Sequence, residues 1–341
     1  MVQADRWLTS LEICAGAGGQ ALGLEMAGFM PVMLVENDKH ACATLKRNRP
    51  AWDVRQMDLR DFVAGEHSQV YDVDLLSGGV PRTPYSVAGH QQGSKDTRDM
   101  LSVAVWLATE VRPRAVMIEN VPTLLTDAKF EANRKFVIEE LEHLGYAIDW
   151  RVLDAQDFGV PQARRSSVLV AMKPDDLGRF HWPETQGPAL TVAVALRESM
   201  GSRGWAGVAE WSQVADQVAP AIVGGSSTHG GGDLGPTRTK AAWARLGVNG
   251  HSLGNDVPGP DFVMEFGLGK HGRDGLPKLT IPQVAILQGF PEEWHFAGGK
   301  TARYRQVAQA FPPPLAEAVG RQIAAVLNDP ISVPVSGVKI E

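Results

Sequence analysis

The sequence predicts an α/β protein, a doubly wound sheet carrying a smaller loop-rich module, and three observations support this. Short apolar runs alternate with amphipathic stretches from Leu8 to Met172, and a glycine-rich turn joins the first run to the first amphipathic stretch. From about Gln186 to Lys278 that rhythm gives way to glycine clusters and scattered proline, and helical patterning then returns. Alternation of this kind is the mark of βα units that lay successive strands into a parallel sheet.

Taken in order, residues 8–14 read as a strand, Ala15-Gly16-Ala17-Gly18-Gly19 as a tight turn, and 20–27 as the helix that follows. The second strand, 31–35, ends at Glu36, and a helix is expected over 39–48. Further strands fit 53–56, 73–77, 115–119, 147–153 and 167–172. Helices fit 100–111 and 133–144, the second with Ile138, Leu141 and Leu144 on one face. Residues 186–278 hold eight basic and eight acidic residues, with Trp205, Trp211 and Trp243 inside and Trp182 just before. Beyond them 279–287 and 315–327 read as helices separated by the Pro312-Pro313-Pro314 break. The expected division is a first domain over 1–185 plus 279–341 and a second over 186–278.

Composition narrows the class. Of 341 residues 44% are hydrophobic and 21% charged, enough to bury a core and too apolar for disorder. The cysteines are two, Cys14 and Cys42, too few for a disulfide framework or a cysteine-rich zinc site, so a reducing cytoplasm is expected. His90, His143, His181, His251 and His271 share no ligand spacing, and no metal is assigned. The N-terminus lacks a basic-then-apolar leader and no run of about 18 apolar residues occurs, so a soluble protein is expected and no membrane partner. A net charge of -6 disfavours blanket binding to nucleic acid but leaves a local basic cleft open.

A nucleotide-like site is written into the first three strands. Glu12-x-x-x-Gly16-x-Gly18-Gly19 places glycines where the backbone must turn sharply and approach a ligand. Glu36, at the end of the second strand, can accept both hydroxyls of a ribose. Asp58, closing the third βα step, can accept from an adenine amino group. Three such residues at successive strand ends favour an adenosine-containing cofactor, with nicotinamide and S-adenosylmethionine both open at this point.

The downstream motifs separate the two. Ser77-Gly78-Gly79-Val80-Pro81-Arg82-Thr83-Pro84-Tyr85-Ser86, Asp96-Thr97-Arg98, Glu119-Asn120-Val121, Gly159-Val160-Pro161-Gln162-Ala163-Arg164, Gln288-Gly289-Phe290-Pro291 and Arg305-Gln306-Val307-Ala308-Gln309-Ala310-Phe311-Pro312-Pro313 occur in that order. With the glycine turn they make the chain resemble the DNA (cytosine-5) methyltransferases over nearly its whole length, from about Leu11 to Leu327. The resemblance implies an S-adenosylmethionine-dependent, Rossmann-like methyltransferase domain, a target-recognition domain at 186–278, double-stranded DNA as partner, and a role in restriction-modification. It places Gly16, Gly18, Gly19, Glu36, Asp58 and Gln309 at the cofactor, with Cys14 where the family usually has a phenylalanine against the adenine. Pro81 belongs to the loop facing the target base, Glu119 to the acid that bonds the cytosine ring nitrogen, and Arg164 to the first arginine of a Gln-x-Arg-x-Arg motif. Ser86, Gln162 and Arg165 are expected at the DNA. The family acts as a monomer; a partner methyltransferase enters if this chain is inactive.

The chemistry explains those residue types. Cytosine C5 is a poor nucleophile, so the family adds a thiolate to C6 and turns the ring into an enamine. A carboxylic acid at N3 offsets the developing charge, and the base must first flip out of the stack. In this sequence the usual Pro-Cys dipeptide reads Pro81-Arg82. A guanidinium stays protonated and cannot add to C6. Ser166 stands where the motif's second arginine is expected, with Arg165 beside it, and Ala308-Gln309 replaces a usual Gly-Asn pair. For Arg82 three readings stand: a protein that has lost turnover and still binds cofactor and DNA, a natural or introduced disabling change in an ordinary enzyme, or altered chemistry at a phosphate or extruded base. The expectation is that methyl transfer is abolished or reduced by orders of magnitude. In the second module, Ser226 to His229 and the run from Gly235 to Lys240 are either polar loops or DNA-reading segments, with Arg238 a candidate for guanine and Lys240 for a phosphate.

Overall fold

The computed structural model describes residues 7–82, 84–85, 99–223, 232–267 and 274–329. Its main sheet has seven strands: β1 (Leu8–Ile13), β2 (Phe29–Glu36), β3 (Val54–Gln56), β4 (Leu75–Gly79), β5 (Ala115–Asn120), β6 (Ala147–Asp154) and, after the two-residue β7 (Gln162–Ala163), β8 (Arg165–Met172). The spatial order is β3-β2-β1-β4-β5-β8-β6, and β7 pairs separately with β9 (Ala219–Pro220).

Each predicted strand is present, but the sheet is mixed where a parallel one was expected. β3 through β5 run parallel, whereas β8 lies antiparallel to both of its neighbours. The cause is the short return from β6, in which Asp154 faces Arg165 and only the 3-10 turn Ala155–Phe158 and β7 intervene. A parallel return would need a crossover helix, which so short a connection cannot hold.

The strands are apolar on both faces because both faces are covered. Leu76, Val116, Ile118 and Leu169 point into one core with the helices Leu101–Val111 and Glu131–His143. Their chain neighbours Leu75, Ala115, Met117 and Val168 point into the other, under the C-terminal helix Pro313–Asn328. That helix lies tightly on the helix Gly19–Met26: a Cβ at Gly23 would stand 2.3 Å from the Pro313 carbonyl oxygen, and one at Gly320 2.8 Å from Leu24. The triple proline does not merely break a helix. Pro313 sits at the start of one, where its missing N–H has no partner to lose.

A third core joins the helix Lys39–Asn48 to residues of the 186–278 segment and to 279–308. The segment is less irregular than its glycines suggest, with helices at Val192–Gly201, Val208–Val214 and Thr237–Arg245. Its tryptophans are structural: Trp205, Trp211 and Trp243 are buried, and the indoles of Trp205 and Trp211 donate to the carbonyls of Phe262 and Gly247. The helix Lys300–Gln309 was not anticipated, because its polar sequence hides the buried face made by Tyr304, Gln306, Val307 and Ala308. Among the described residues no helix is long and apolar enough to cross a membrane.

Candidate active site

The order of strands reverses at β1, which has β2 on one side and β4 on the other, and a crevice opens at the carboxyl ends of such strands. A cavity of about 490 Å³ lies there. Its walls come from the end of β1 and the glycine turn, from Glu36 to Asp38, Met57 to Arg60, Gly79 to Arg82, Glu119, and the segment around Gln309.

The glycine turn is shaped by two demands. Gly16 has φ +54° with open space where a Cβ would stand, so the backbone is exposed to a ligand. Gly18 and Gly19 are needed for packing instead: a Cβ at Gly18 would fall 2.6 Å from Leu45 and 2.9 Å from Trp294, and one at Gly19 2.3 Å from the Phe311 carbonyl oxygen. Trp294, which sequence reasoning did not single out, fastens the turn by donating from its indole to the Ala17 carbonyl at 3.1 Å. Glu36 is buried, and its two oxygens accept from the Gly16 and Asp38 backbone N–H groups at 2.7 and 2.8 Å. Burial raises its pKa and those backbone donors oppose the rise. Asp58 lines the cavity with its carboxylate turned onto Arg60, which lowers its pKa to about 2. Cys14 adopts φ +49°, and burial, reinforced by Glu36 and Asp58, pushes its thiol pKa upward, which disfavours the thiolate. Gln309 is exposed at the cavity rim.

At the other end, Pro81 and Arg82 follow β4 while Glu119 is the penultimate residue of β5 beside them. Gly79 and Glu119 are register partners, and Asn120 donates to the Val80 carbonyl at 3.4 Å. The Arg82 guanidinium is ion-paired to Glu119 Oε1 through Nη2, with Nε 3.4 Å from Oε2, and Nη2 also lies 3.3 Å from the Ser166 hydroxyl. Arg164 is buried behind, donating to the Ile222 carbonyl at 3.0 Å, and burial followed by the charge of Arg82 lowers its pKa to about 9. Side chains alternate along β8, so Ser166 faces the pocket whereas Arg165 is exposed on the opposite side, away from Glu119.

Of the residues expected at DNA, Arg238 is exposed near the start of the helix Thr237–Arg245. Lys240 is instead paired to Asp233 at 2.8 Å within its own segment. Gln162 is buried, with all of its polar atoms used internally: its amide donates to Leu287 O and Gln288 Oε1, and its oxygen accepts from Ile222 N–H. It joins the 222 and 287 segments to β7 and is not presented at the surface, a placement that local sequence could not reveal. Ser86 and the run from Ser226 to His229 lie outside the described residues.

Residues 8–221 and 237–325 match the family described as C-5 cytosine-specific DNA methylase. The chain belongs to that family. The Type II methyltransferase M.NaeI of Lentzea aerocolonigenes is 47% identical over 322 residues, covering 94% of this chain and 76% of that protein. M.NgoMIV of Neisseria gonorrhoeae is 42% identical over 324 residues, covering 94% of this chain and 98% of its own length. Among solved structures, the Entamoeba histolytica methyltransferase EhMeth has a TM-score of 0.65 at 12% identity, covering 94% of this chain and 98% of its own. The S. pombe Dnmt2 methyltransferase follows at 0.58 and 17%, with the same coverage. These two likenesses concern the fold.

S-adenosylmethionine is the cofactor of this methylase fold, and the cavity fits it. Gly16 leaves its backbone bare toward the space, and Glu36 is fixed by two backbone donors with lone pairs still available to a ribose. The site also contains a buried polar group that sequence reasoning did not assign, made of Glu12, Gln20 and Ser77.

Proposed function

We propose that this chain is an S-adenosylmethionine- and double-stranded-DNA-binding C5 methyltransferase of the restriction-modification kind that is blocked at methyl transfer by Arg82. In this reading residues 1–185 plus 279–341 hold the cofactor and the flipped cytosine, and 186–278 form the target-recognition domain. Glu36 holds the ribose, Asp58 the adenine end, and Gln309 the amino-acid end. The cofactor supplies an electrophilic methyl group; the protein must supply a nucleophile for C6 and a proton for N3.

The observation that carries the reading is the ion pair of Arg82 with Glu119, seated against Ser166. Arg82 follows Pro81, where the family's chemistry needs a thiolate, and a guanidinium has no lone pair to add to C6. The same side chain engages both oxygens of Glu119, the group expected to face the cytosine ring nitrogen. Neither cysteine substitutes: Cys42 is buried with its thiol directed to the Glu36 carbonyl, and Cys14 belongs to the cofactor turn.

The test uses tritiated S-adenosylmethionine and genomic DNA free of C5 methylation. The chain as written binds the cofactor and DNA and transfers no label, and Arg82→Cys transfers label to cytosine C5. Transfer by the unsubstituted chain at the rate of Arg82→Cys refutes the block.

A further inference from the structure

A second cavity, of about 630 Å³ against about 490 Å³ for the first, opens at the opposite edge of the main sheet. It lies where β5 begins and the antiparallel β8 ends: Ala115 and Met172 are register partners, and Arg114 and Lys173, the residues just beyond them, both line it. Glu119 stands further along β5, about 13 Å away at roughly 3.3 Å per residue. The floor of the cavity is apolar, made by Pro113, Leu144 and the buried Tyr146, whose hydroxyl donates to the Pro113 carbonyl. Its rim is basic. Arg112, Arg114, His143 and Lys173 stand against one acid, Asp176, in a chain whose net charge is -6.

The fold uses part of that charge. Arg114 donates to Asp74 and to the Leu327 carbonyl, both at 2.8 Å, and Asp176 is paired to Arg179 at 2.7 Å. Lys173 donates to the Leu144 carbonyl at 2.8 Å and lies 4.5 Å from the centre of the Tyr146 ring. Arg112 and His143 have neither an ion pair nor a side-chain hydrogen bond among the described residues. Both close helices, Leu101–Val111 and Glu131–His143, where the dipole favours a cation. The dipole does not account for the Arg112 backbone. Arg112 has φ +53°, whereas the turns after the helices Gly19–Met26 and Glu131–His143 use Gly28 and Gly145, at φ +97° and +78°. Glycine adopts this conformation freely and a side chain makes it costly, while a cation one residue earlier would meet the same dipole without the cost.

We propose that this second cavity binds the phosphate group of a nucleotide, with Arg112 and Lys173 as its anchors. The strained backbone then has a use, because it holds the Arg112 guanidinium at the rim beyond the last turn of its helix. A guanidinium fork meets two phosphate oxygens at once, and Lys173 adds a point charge from the other side of the cavity. Phosphate also compensates cations that no carboxylate of the chain neutralises. The apolar floor of Pro113, Leu144 and Tyr146 is left to the base and sugar, and the volume falls within the roughly 300–1,000 Å³ of small-molecule sites. The site shares no residue with the cofactor cavity, so its ligand is independent of methyl transfer.

Calorimetry on the full chain with uridine 5′-triphosphate in metal-free buffer tests this; a uracil nucleotide is used because adenine would also probe the cofactor cavity. The unsubstituted chain binds it at concentrations below about 1 mM, and Lys173→Met weakens binding about ten- to a hundredfold, the range of a charge-assisted hydrogen bond. Arg112→Gly removes the guanidinium and relieves the backbone together. It weakens binding to the same degree and melts no lower than the unsubstituted chain, so its loss is not a loss of folding. Arg112→Lys, which keeps the charge without the fork, falls between the two. A short single-stranded oligonucleotide titrated in parallel separates two sources of phosphate: it loses affinity in Arg112→Gly if the site takes the DNA backbone, and binds both proteins alike if the site takes free nucleotides. Absence of uridine triphosphate binding to the unsubstituted chain overturns the proposal, as does an affinity unchanged in Arg112→Gly, which leaves Arg112 a helix cap only.

Discussion

Replacing Arg82 by methionine tests the ion pair between Arg82 and Glu119 at the cavity. Glu119 is 2% exposed and the Arg82 side chain 22%, so the substitution strands a buried carboxylate while removing a cation that could partly reach water. Breaking a buried pair from one side costs about 3–5 kcal/mol, and the partial exposure of Arg82 sets the expectation at the lower end, about 3 kcal/mol. Glu119→Gln keeps an acceptor for Arg82 and releases a guanidinium with access to solvent, so it should cost about 1 kcal/mol. The double variant leaves no stranded charge and should stand close to Glu119→Gln, at about 1 kcal/mol, which makes the coupling about 3 kcal/mol. Urea unfolding at pH 7 measures all four proteins, with unchanged slopes confirming that only stability has moved. If Arg82→Met unfolds within about 0.5 kcal/mol of the unsubstituted chain, the pair does not hold the pocket and the reasoning fails.

Three further outcomes follow from the same geometry. Because Ser166 faces Glu119 and Arg165 faces away, Arg82→Cys with Ser166→Arg should transfer methyl groups faster than Arg82→Cys alone in the tritium assay; equal rates would mean that a guanidinium at 166 contributes nothing. Gly23→Ala forces a methyl to within 2.3 Å of the Pro313 carbonyl, and overpacking of about 1–3 kcal/mol outweighs the helix-propensity gain near 1 kcal/mol, so thermal unfolding should shift down. Glu12 has a folded-state pKa raised from 4.5 to about 7, so the protein without cofactor loses stability as pH rises across that window, by roughly 3 kcal/mol in full. Glu12→Gln should then melt near the unsubstituted chain at pH 5 and above it at pH 8; parallel pH profiles would count against the burial argument.

Much of the fold was legible because its signals are local. Strands β1 to β5 are short apolar runs punctuated by glycine, proline or acid, and the helix Lys39–Asn48 starts at an Asp38 side chain that accepts from the His40 and Ala41 N–H groups. Strand direction was not legible at β8, since a run of apolar residues covered on both faces reads the same parallel or antiparallel. The helix Lys300–Gln309 was hidden for the related reason that its buried face includes Gln306, whose side chain bonds Thr44 and the Ala297 carbonyl, partners that only folding brings near.

The site divides in the same way. By itself the sequence determined the family, the cofactor class, and the fact that an arginine follows Pro81, since residue identity and motif order need no coordinates. It also placed Glu36 and the glycine turn together, because a strand end about 20 residues beyond another in successive βα units falls at the same edge of a parallel sheet. Tertiary structure decided what each polar group does. It paired Arg82 with Glu119 across residues 37 apart, turned Asp58 onto Arg60 and Lys240 onto Asp233, and buried Gln162 at a junction. It also left Glu12 and Gln20 each with an unsatisfied oxygen beneath the cofactor cavity. Hydrogen-bond partners and desolvation are properties of packing between distant segments, and neither is encoded in the spacing of one segment alone.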